Sequence, residues 1–492
     1  MGADLAVSTG RDDLARGAIG LREVLFQSVT HMAPAGAVAF SIAVGAAYAG
    51  GSLSLSVLLA LVACLLVASS IGQLARHLPS AGGFYTYAAR GLHPWVGFLV
   101  GWEYSLVESL VAPVTYLVFG GLMAGVLEGP LHLPYGLLWA GFAVLVAVAT
   151  AGLGYLGIGI SARTGTALGV FEIVVFVALA VWLIVQAGSR NQLAVFGTGY
   201  ATAAGFTGAT GVVAGSVYAI LAFIGFEAAA PLSEEAKDPG RVVPIAVIAS
   251  ALTIGVFYVL TTYAATVFFG PGKFGSFAQF GGGSPWIELA KQVWGVGWIL
   301  VFLAVLNSTF ANGNAGNNAT TRTWYAMGRI GLLPRQLAST HPVRRSPHVA
   351  VAGQLVLSLV LIFVVGIPFG PITAFVFLAT LVTAVVIAIY LVTNLACLVY
   401  YLRERRDEFS WLLHGVVPVL GIVAFVPALL TALGIGGQVL SFVSPLPFPN
   451  SLVGPIVGVW TVLGLLYLAY LVRRQPDRLR QTERVFVEEA IP

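Results

Sequence analysis

Residues 222–244 read AFIGFEAAAPLSEEAKDPGRVVP, and the fold turns on this stretch. It is the second half of an apolar run that begins near Ala209. Yet it carries Gly225, a bare carboxylate at Glu227 and Pro231 before passing into SEEAKDP at 233–239. A helix crossing a bilayer satisfies its backbone internally and avoids charge, because hydrocarbon offers no competing hydrogen bonds. Glycine, an acid and proline inside one such run point to a deliberately broken helix whose irregular backbone lines a protein-buried site. The alternative is a helix that ends near Gly225 and leaves Glu227 among the headgroups.

Composition supplies the membrane setting. Of 492 residues, 58% are hydrophobic and 9% charged, with a mean hydropathy of +0.92. Soluble domains carry about 25% charged residues, so this is a polytopic membrane protein. The 59 glycines are scattered through the apolar runs, where small residues let helix backbones approach. Cys64 and Cys397 both lie in apolar runs, which leaves neither a disulfide framework nor a CxxC metal site. The opening MGADLAVSTGRDD is polar and has no apolar core before a small-residue cleavage site, so a cytoplasmic tail is expected rather than a signal peptide.

Runs long enough to span (~20 residues) fall at about 24–50, 53–75, 94–126, 134–156, 165–187, 209–232, 242–269, 295–321, 349–366, 371–401, 414–433 and 452–472, twelve in all. With the first residue inside, alternate loops place 21 of the 24 basic residues on the cytoplasmic side and only Arg190, Lys273 and Lys291 outside. An error of one span would swap sides downstream and destroy that partition. Both termini are therefore expected in the cytoplasm, with the chain in the cytoplasmic membrane. The expected division is a tail at 1–23, a transport core at 24–401, two further helices at 402–472 and a tail at 473–492. Residues 79–93 suggest a short interfacial helix on the inside, and 270–291 a Gly-rich loop outside. No segment is long enough for a soluble catalytic or nucleic-acid-binding domain.

The first run is punctuated like the sixth: Met32-Ala33-Pro34-Ala35-Gly36-Ala37 stands in its middle. Interrupted helices at the head of two sets of five are the pattern of two inverted repeats, with a binding site where the breaks meet. Charge inside the membrane is one-sided. No Lys or Arg lies near the centre of a run, but Glu103, Glu108, Glu172 and Glu227 lie in or close to runs. A mid-membrane carboxylate costs at least ~2–3 kcal/mol, and such groups face cavities, pair with cations or are protonated. The candidates are a proton, a metal cation or the amino group of a substrate, with interfacial placement the bland reading for Glu103 and Glu227. Asn307-Ser308-Thr309, Asn312, Asn314, Asn317 and Asn318 in the eighth run suit either a polar ligand or helix–helix hydrogen bonds, the latter being commoner. Gly152–Gly157 fits GxGxxG but has no strand before it, and the seven histidines show no ligand spacing, so no enzyme, cofactor or metal site is expected.

PSAGGFYTY at 79–87 with GFLVGWEY at 97–104, FIGFE at 223–227 with EEAKDP at 234–239 and Pro244, and RTWYAMGRIGLLP at 322–334 together resemble the amino acid–polyamine–organocation superfamily of secondary transporters. The resemblance implies an all-α, LeuT-like fold of twelve transmembrane helices: a 5+5 inverted repeat with broken helices 1 and 6, plus two C-terminal helices. It implies an amino acid permease in which a substrate carboxylate meets backbone N–H groups where helix 1 re-forms, about Ala35–Val38, with Ala33, Pro34, Ala35, Gly36, Ala37 and Val38 as candidate substrate-binding residues. The substrate ammonium meets carbonyls at Phe223, Ile224 and Gly225, with Phe223 as a gate. Glu108 and Asn307 join as candidate substrate contacts, and Glu172, Glu108 and Glu227 as candidates for proton or cation coupling. Two departures stand out. Helix 1 reads MAPAGAVAF rather than the family's glycine-dominated motif, and Glu172 stands where some proton-coupled members carry a Lys. The expected activity is secondary active transport of an amino acid or related amine by alternating access, with proton-coupled uptake favoured. An exchanger, a carrier of polyamines or organic cations, and a non-transporting sensor are the alternatives. Oligomeric state is left open.

Overall fold

The computed structural model describes residues 20–79, 82–157, 162–232, 236–329, 331–344, 346–437 and 439–474. Most of both tails, Ser161 and the Ser233–Glu235 part of the elbow lie outside the described residues. What is described is almost wholly helical, apart from a minimal hairpin pairing Thr202–Ala203 with Phe206–Thr207.

Eleven helical stretches are long and apolar enough to cross a membrane. The first, Leu21–His77, runs for 57 residues. It contains α1 (Leu21–His31), α2 (Pro34–Gly36), a π-helical segment (Ala37–Ile42), α3 (Ala43–Ala49) and α4 (Leu53–His77). The chain turns between α3 and α4 at Gly50, whose φ of 53° and Cβ position, 2.4 Å from the Tyr200 carbonyl oxygen, admit only glycine. A short α5 (Phe84–Gly91) follows, then α6 (Pro94–Leu131), α7 (Tyr135–Leu156) and α8 (Ala162–Ala187). The sixth apolar run becomes α9 (Ala209–Phe223) and a 3₁₀ segment, Phe226–Leu232. Beyond the elbow come α10 (Pro239–Phe269), α11 (Pro285–Trp294), α12 (Trp298–Arg329), α13 (His348–Phe369), α14 (Pro371–Arg403), α15 (Val417–Ala432) and α16 (Val453–Arg474).

Burial sorts these helices into centre and rim. The most apolar window of α14 is 78% buried and that of the α9 stretch 72%, against 17% for α16. Rim helices turn Leu145, Val185, Val423 and Leu466 outward, the apolar surface a bilayer would cover. At the centre α4 packs along α9 and α10, and α6 along α12 and α14, with α1, α2 and α3 held between these groups.

The helix at 84–91 is present and packs into the protein. Phe84 and Tyr87 are buried against α6 and α14, and a Cβ on Gly91 would sit 2.6 Å from the Ala396 carbonyl oxygen. Its small residues let the helix pack into the protein; amphipathicity alone did not distinguish that from a lipid surface. The Gly-rich connection is also more ordered than a loop. Residues Pro271–Gly283 form 3₁₀ turns with Phe274 and Phe277 stacked at 4.6 Å, and α11 places Trp286 over the start of the first stretch. There the indole donates to the Val38 carbonyl at 3.0 Å.

Ion pairing is kept away from the middle of the long helices. The ion pairs among the described residues are His77–Glu408, Arg90–Glu404, Lys291–Glu288 and Arg405–Glu408, and none involves Glu103, Glu108, Glu172 or Glu227. Cys64 and Cys397 are buried and unpaired.

Candidate functional site

The first break is made by proline. Pro34 has no N–H to donate, and its ring excludes the residue before it from the helical region. Ala33 accordingly adopts φ 47° and ψ 66°, a left-handed conformation that costs a non-glycine residue about 1–2 kcal/mol. The exposed backbone groups are then satisfied from other helices. His31 O accepts from Asn312 Nδ2 at 3.3 Å, and Met32 O from the Tyr258 hydroxyl at 3.1 Å. On the far side of the break Ala35 N–H donates to Glu172 Oε2 at 3.4 Å, Gly36 N–H to Ser308 Oγ at 3.0 Å and Ala37 N–H to Ala33 O at 2.8 Å.

The second break is made by glycine. Helix α9 stops at Phe223, Ile224 turns to ψ 124°, and Gly225 takes φ 118°. A Cβ on Gly225 would lie 2.7 Å from the His31 ring and 2.9 Å from Met32 N, so this glycine is what lets the two breaks touch. Gly225 N–H donates to Glu227 Oε2 at 3.0 Å, and the same oxygen accepts from the Tyr390 hydroxyl at 3.1 Å. Tyr258 spans both sites: its hydroxyl also reaches Ala222 O at 2.8 Å, and Ser28 Oγ donates to Phe226 O at 2.8 Å.

Beside the meeting point lies a cavity of about 90 Å³. Among the residues named from sequence, Ala33, Gly36, Ala37 and Ile224 line it. Pro34, Ala35 and Val38 are buried without lining it. Phe223 points elsewhere: fully buried, its ring packs edge-on against Tyr258 at 5.2 Å, while Leu221 and Ala222 face the cavity. The lining also includes Phe40 and Phe375, an edge-to-face pair 6.3 Å apart, and the polar side chains of His31, Ser41, Thr115, Thr309 and Asn312.

The carboxylates divide into three places. Glu172, 3% exposed, lies behind the first break and accepts from Ala35 N–H and, in a short hydrogen bond, from Asn307 Nδ2. Glu227, held by Gly225 N–H and Tyr390, and Glu108, one of whose oxygens is left without a partner, are buried elsewhere. Glu103 stands apart on the α6–α16 seam, accepting from Thr461 Oγ1 at 2.8 Å. Among the described residues no cluster of His, Cys, Asp or Glu has the makings of a metal centre.

Sequence reading missed Tyr258, which carries no local signal among 17 tyrosines. It noticed Ser308, Thr309 and Asn312 but only as part of a polar stripe; their roles follow from the face of α12 that meets α2.

The comparisons with known proteins agree with this architecture. An amino acid permease family model matches residues 19–467. The low-affinity putrescine importer PlaP of Escherichia coli is 28% identical over 437 residues, covering 87% of each chain. The branched-chain amino acid permease BcaP of Bacillus subtilis is 29% identical over 322 residues, covering 62% of this chain and 66% of its own. A solved structure of the Eremococcus coleocola manganese transporter, in complex with an aromatic bis-isothiourea compound, superposes with a TM-score of 0.51 at 14% identity. The match covers 94% of this chain and 95% of that one, a likeness of fold alone. By family model, relatives and architecture, this multi-pass membrane chain is a transporter and not an enzyme, and it belongs to the amino acid permease family.

Proposed function

We propose that the protein is a secondary active transporter of a small amino acid or related amine, working by alternating access and coupled to protons. The observation that carries this reading is the contact of two broken helices at one cavity, backed by buried carboxylates that have no basic partner. The relatives' printed substrates, putrescine and branched-chain amino acids, support the same class.

The 57-residue first stretch would be about 85 Å long as a helix, against a hydrocarbon core of about 30 Å, so it crosses twice, turning at 50–52. Counted so, there are twelve crossings, with the transport core at 24–401 as two inverted five-helix repeats and 402–472 as an added pair. The basic-residue partition puts both termini inside. Phe40, Phe375 and the Trp286–Val38 hydrogen bond then close the cavity toward the outside. The Ser28–Phe226 and Asn312–His31 hydrogen bonds close it toward the cytoplasm. Glu172 is the proton carrier in this reading. It ties the far side of the helix 1 break, at Ala35, to Asn307 of α12, so gaining or losing a proton changes the hydrogen bonds that fix α2.

Uptake into proteoliposomes tests this. An inward proton gradient should drive accumulation of substrate, and dissipating it with a protonophore should abolish accumulation. Uptake that ignores the gradient but requires substrate inside the vesicle would replace symport with exchange. Binding without any accumulation would favour a sensor.

A further inference from the structure

The hydrogen-bond accounting at the first break narrows what the cavity accepts. The N-terminus of a helical segment ordinarily offers unsatisfied N–H groups to an anion. Here the run 34–49 offers none. Pro34 lacks the group, Ala35 N–H is taken by the Glu172 carboxylate, Gly36 N–H by Ser308 Oγ and Ala37 N–H by Ala33 O. The protein's own carboxylate thus occupies this anion position.

The cavity's polar lining has the opposite character. Thr115 and Thr309 spend their hydroxyl protons on Val111 O and Val305 O, leaving lone pairs. Asn312 spends its Nδ2 on His31 O, and its Oδ1 is buried away from the cavity surface. Ser41 can turn either way and the His31 ring depends on its tautomer, but no Lys or Arg lines the space. A site rich in acceptors, poor in fixed donors and backed by a carboxylate matches a donor cation. Its volume of about 90 Å³ is below the roughly 150 Å³ that holds benzene in an engineered cavity, which favours a short molecule.

We infer that the substrate is a short primary amine carrying no α-carboxylate, with Glu172 standing where an amino acid's carboxylate would otherwise dock. This rests on the transporter reading above. The test uses the full-length purified protein with matched pairs: isobutylamine against valine, and putrescine against ornithine. Alanine, comparable in size to isobutylamine, separates exclusion by size from exclusion by charge. Accumulation in proteoliposomes and ligand-induced thermal stabilisation are both read. The amine of a pair should act at concentrations at least about tenfold below its amino acid, with alanine as weak as valine. Amino acids that accumulate and stabilise the protein while the amines do neither overturn this inference and leave the transporter standing. If alanine matches isobutylamine, selection is by size and the inference fails. Neither class accumulating or stabilising the protein overturns the transporter reading, and this inference with it.

Discussion

The two helix breaks solve one physical problem in opposite ways. Both expose backbone groups in a place where water cannot satisfy them, and each unsatisfied group would be costly. At the second break the Gly225 N–H is capped locally, by a carboxylate two residues further on, while the Ala222 and Phe226 carbonyls take Tyr258 and Ser28. The break at Ala33–Pro34 is capped from afar: Glu172 is 137 positions away and Ser308 is 272. A locally capped break keeps its geometry as its own helix moves. A break capped by other helices is tied to where those helices stand, and so it is the one a moving transporter can use to sense rearrangement. Tyr258 reaches both, joining the break whose N–H is capped locally to the one whose N–H groups are capped from afar.

Substitutions at five positions probe that contrast, in descending order of effect. Gly225→Ala forces a side chain into φ 118° and against His31 and Met32. Strain and overpacking together should cost about 3 kcal/mol or more, seen as a lowered thermal denaturation midpoint and lost uptake. A variant as stable as the parent would show that the breaks do not need this contact.

Next come the carboxylates. Glu172→Ala strips acceptors from Ala35 N–H and Asn307, and should cost about 2–3 kcal/mol together with most transport. Glu172→Gln keeps an acceptor but cannot exchange a proton, so uptake should lose its dependence on external pH. Glu227→Gln also keeps an acceptor for Gly225 N–H, and should slow transport while preserving the pH profile. Reversal of the two pH profiles would move the proton to the locally capped break.

Tyr258→Phe removes one hydroxyl shared by two carbonyls, a loss of about 1–2 kcal/mol, and should lower the maximal rate more than apparent affinity. An unchanged rate in steady-state uptake would mean that the two breaks move independently. The smallest effect belongs to Glu103→Gln, on the α6–α16 seam away from both breaks. Its stability should change by less than about 0.5 kcal/mol and its pH profile not at all; a shifted profile would place a coupling group at that seam.

How far the site was legible follows the same division. Gly225, Glu227 and Pro34 announce their breaks because glycine, a buried acid and proline each violate the rule for an uninterrupted membrane helix. Phe223 shows the limit. Helix α9 does end at Phe223, but which way its ring turns depends on α10, where Tyr258 packs against it, and it does not line the cavity as a gate would. The α5 segment shows the limit again, since its small and aromatic residues fit a lipid surface or a protein groove equally well. Glu172 was noticed as an acid without a partner, while its grip on Ala35 needed α8 and α12 to converge on α2.

By itself the sequence determined the membrane class, the run boundaries to within a few residues, the positions of both breaks and the acidic character of the interior. Those follow from backbone preference and transfer free energy, which act residue by residue. Only the tertiary structure decided that Gly225 fits against His31, that Glu172 and Ser308 rather than solvent complete the first break, and which side chains line the cavity. Those are pairings between helices far apart in the chain, and they exist only once packing fixes the rotation of each helix against its neighbours.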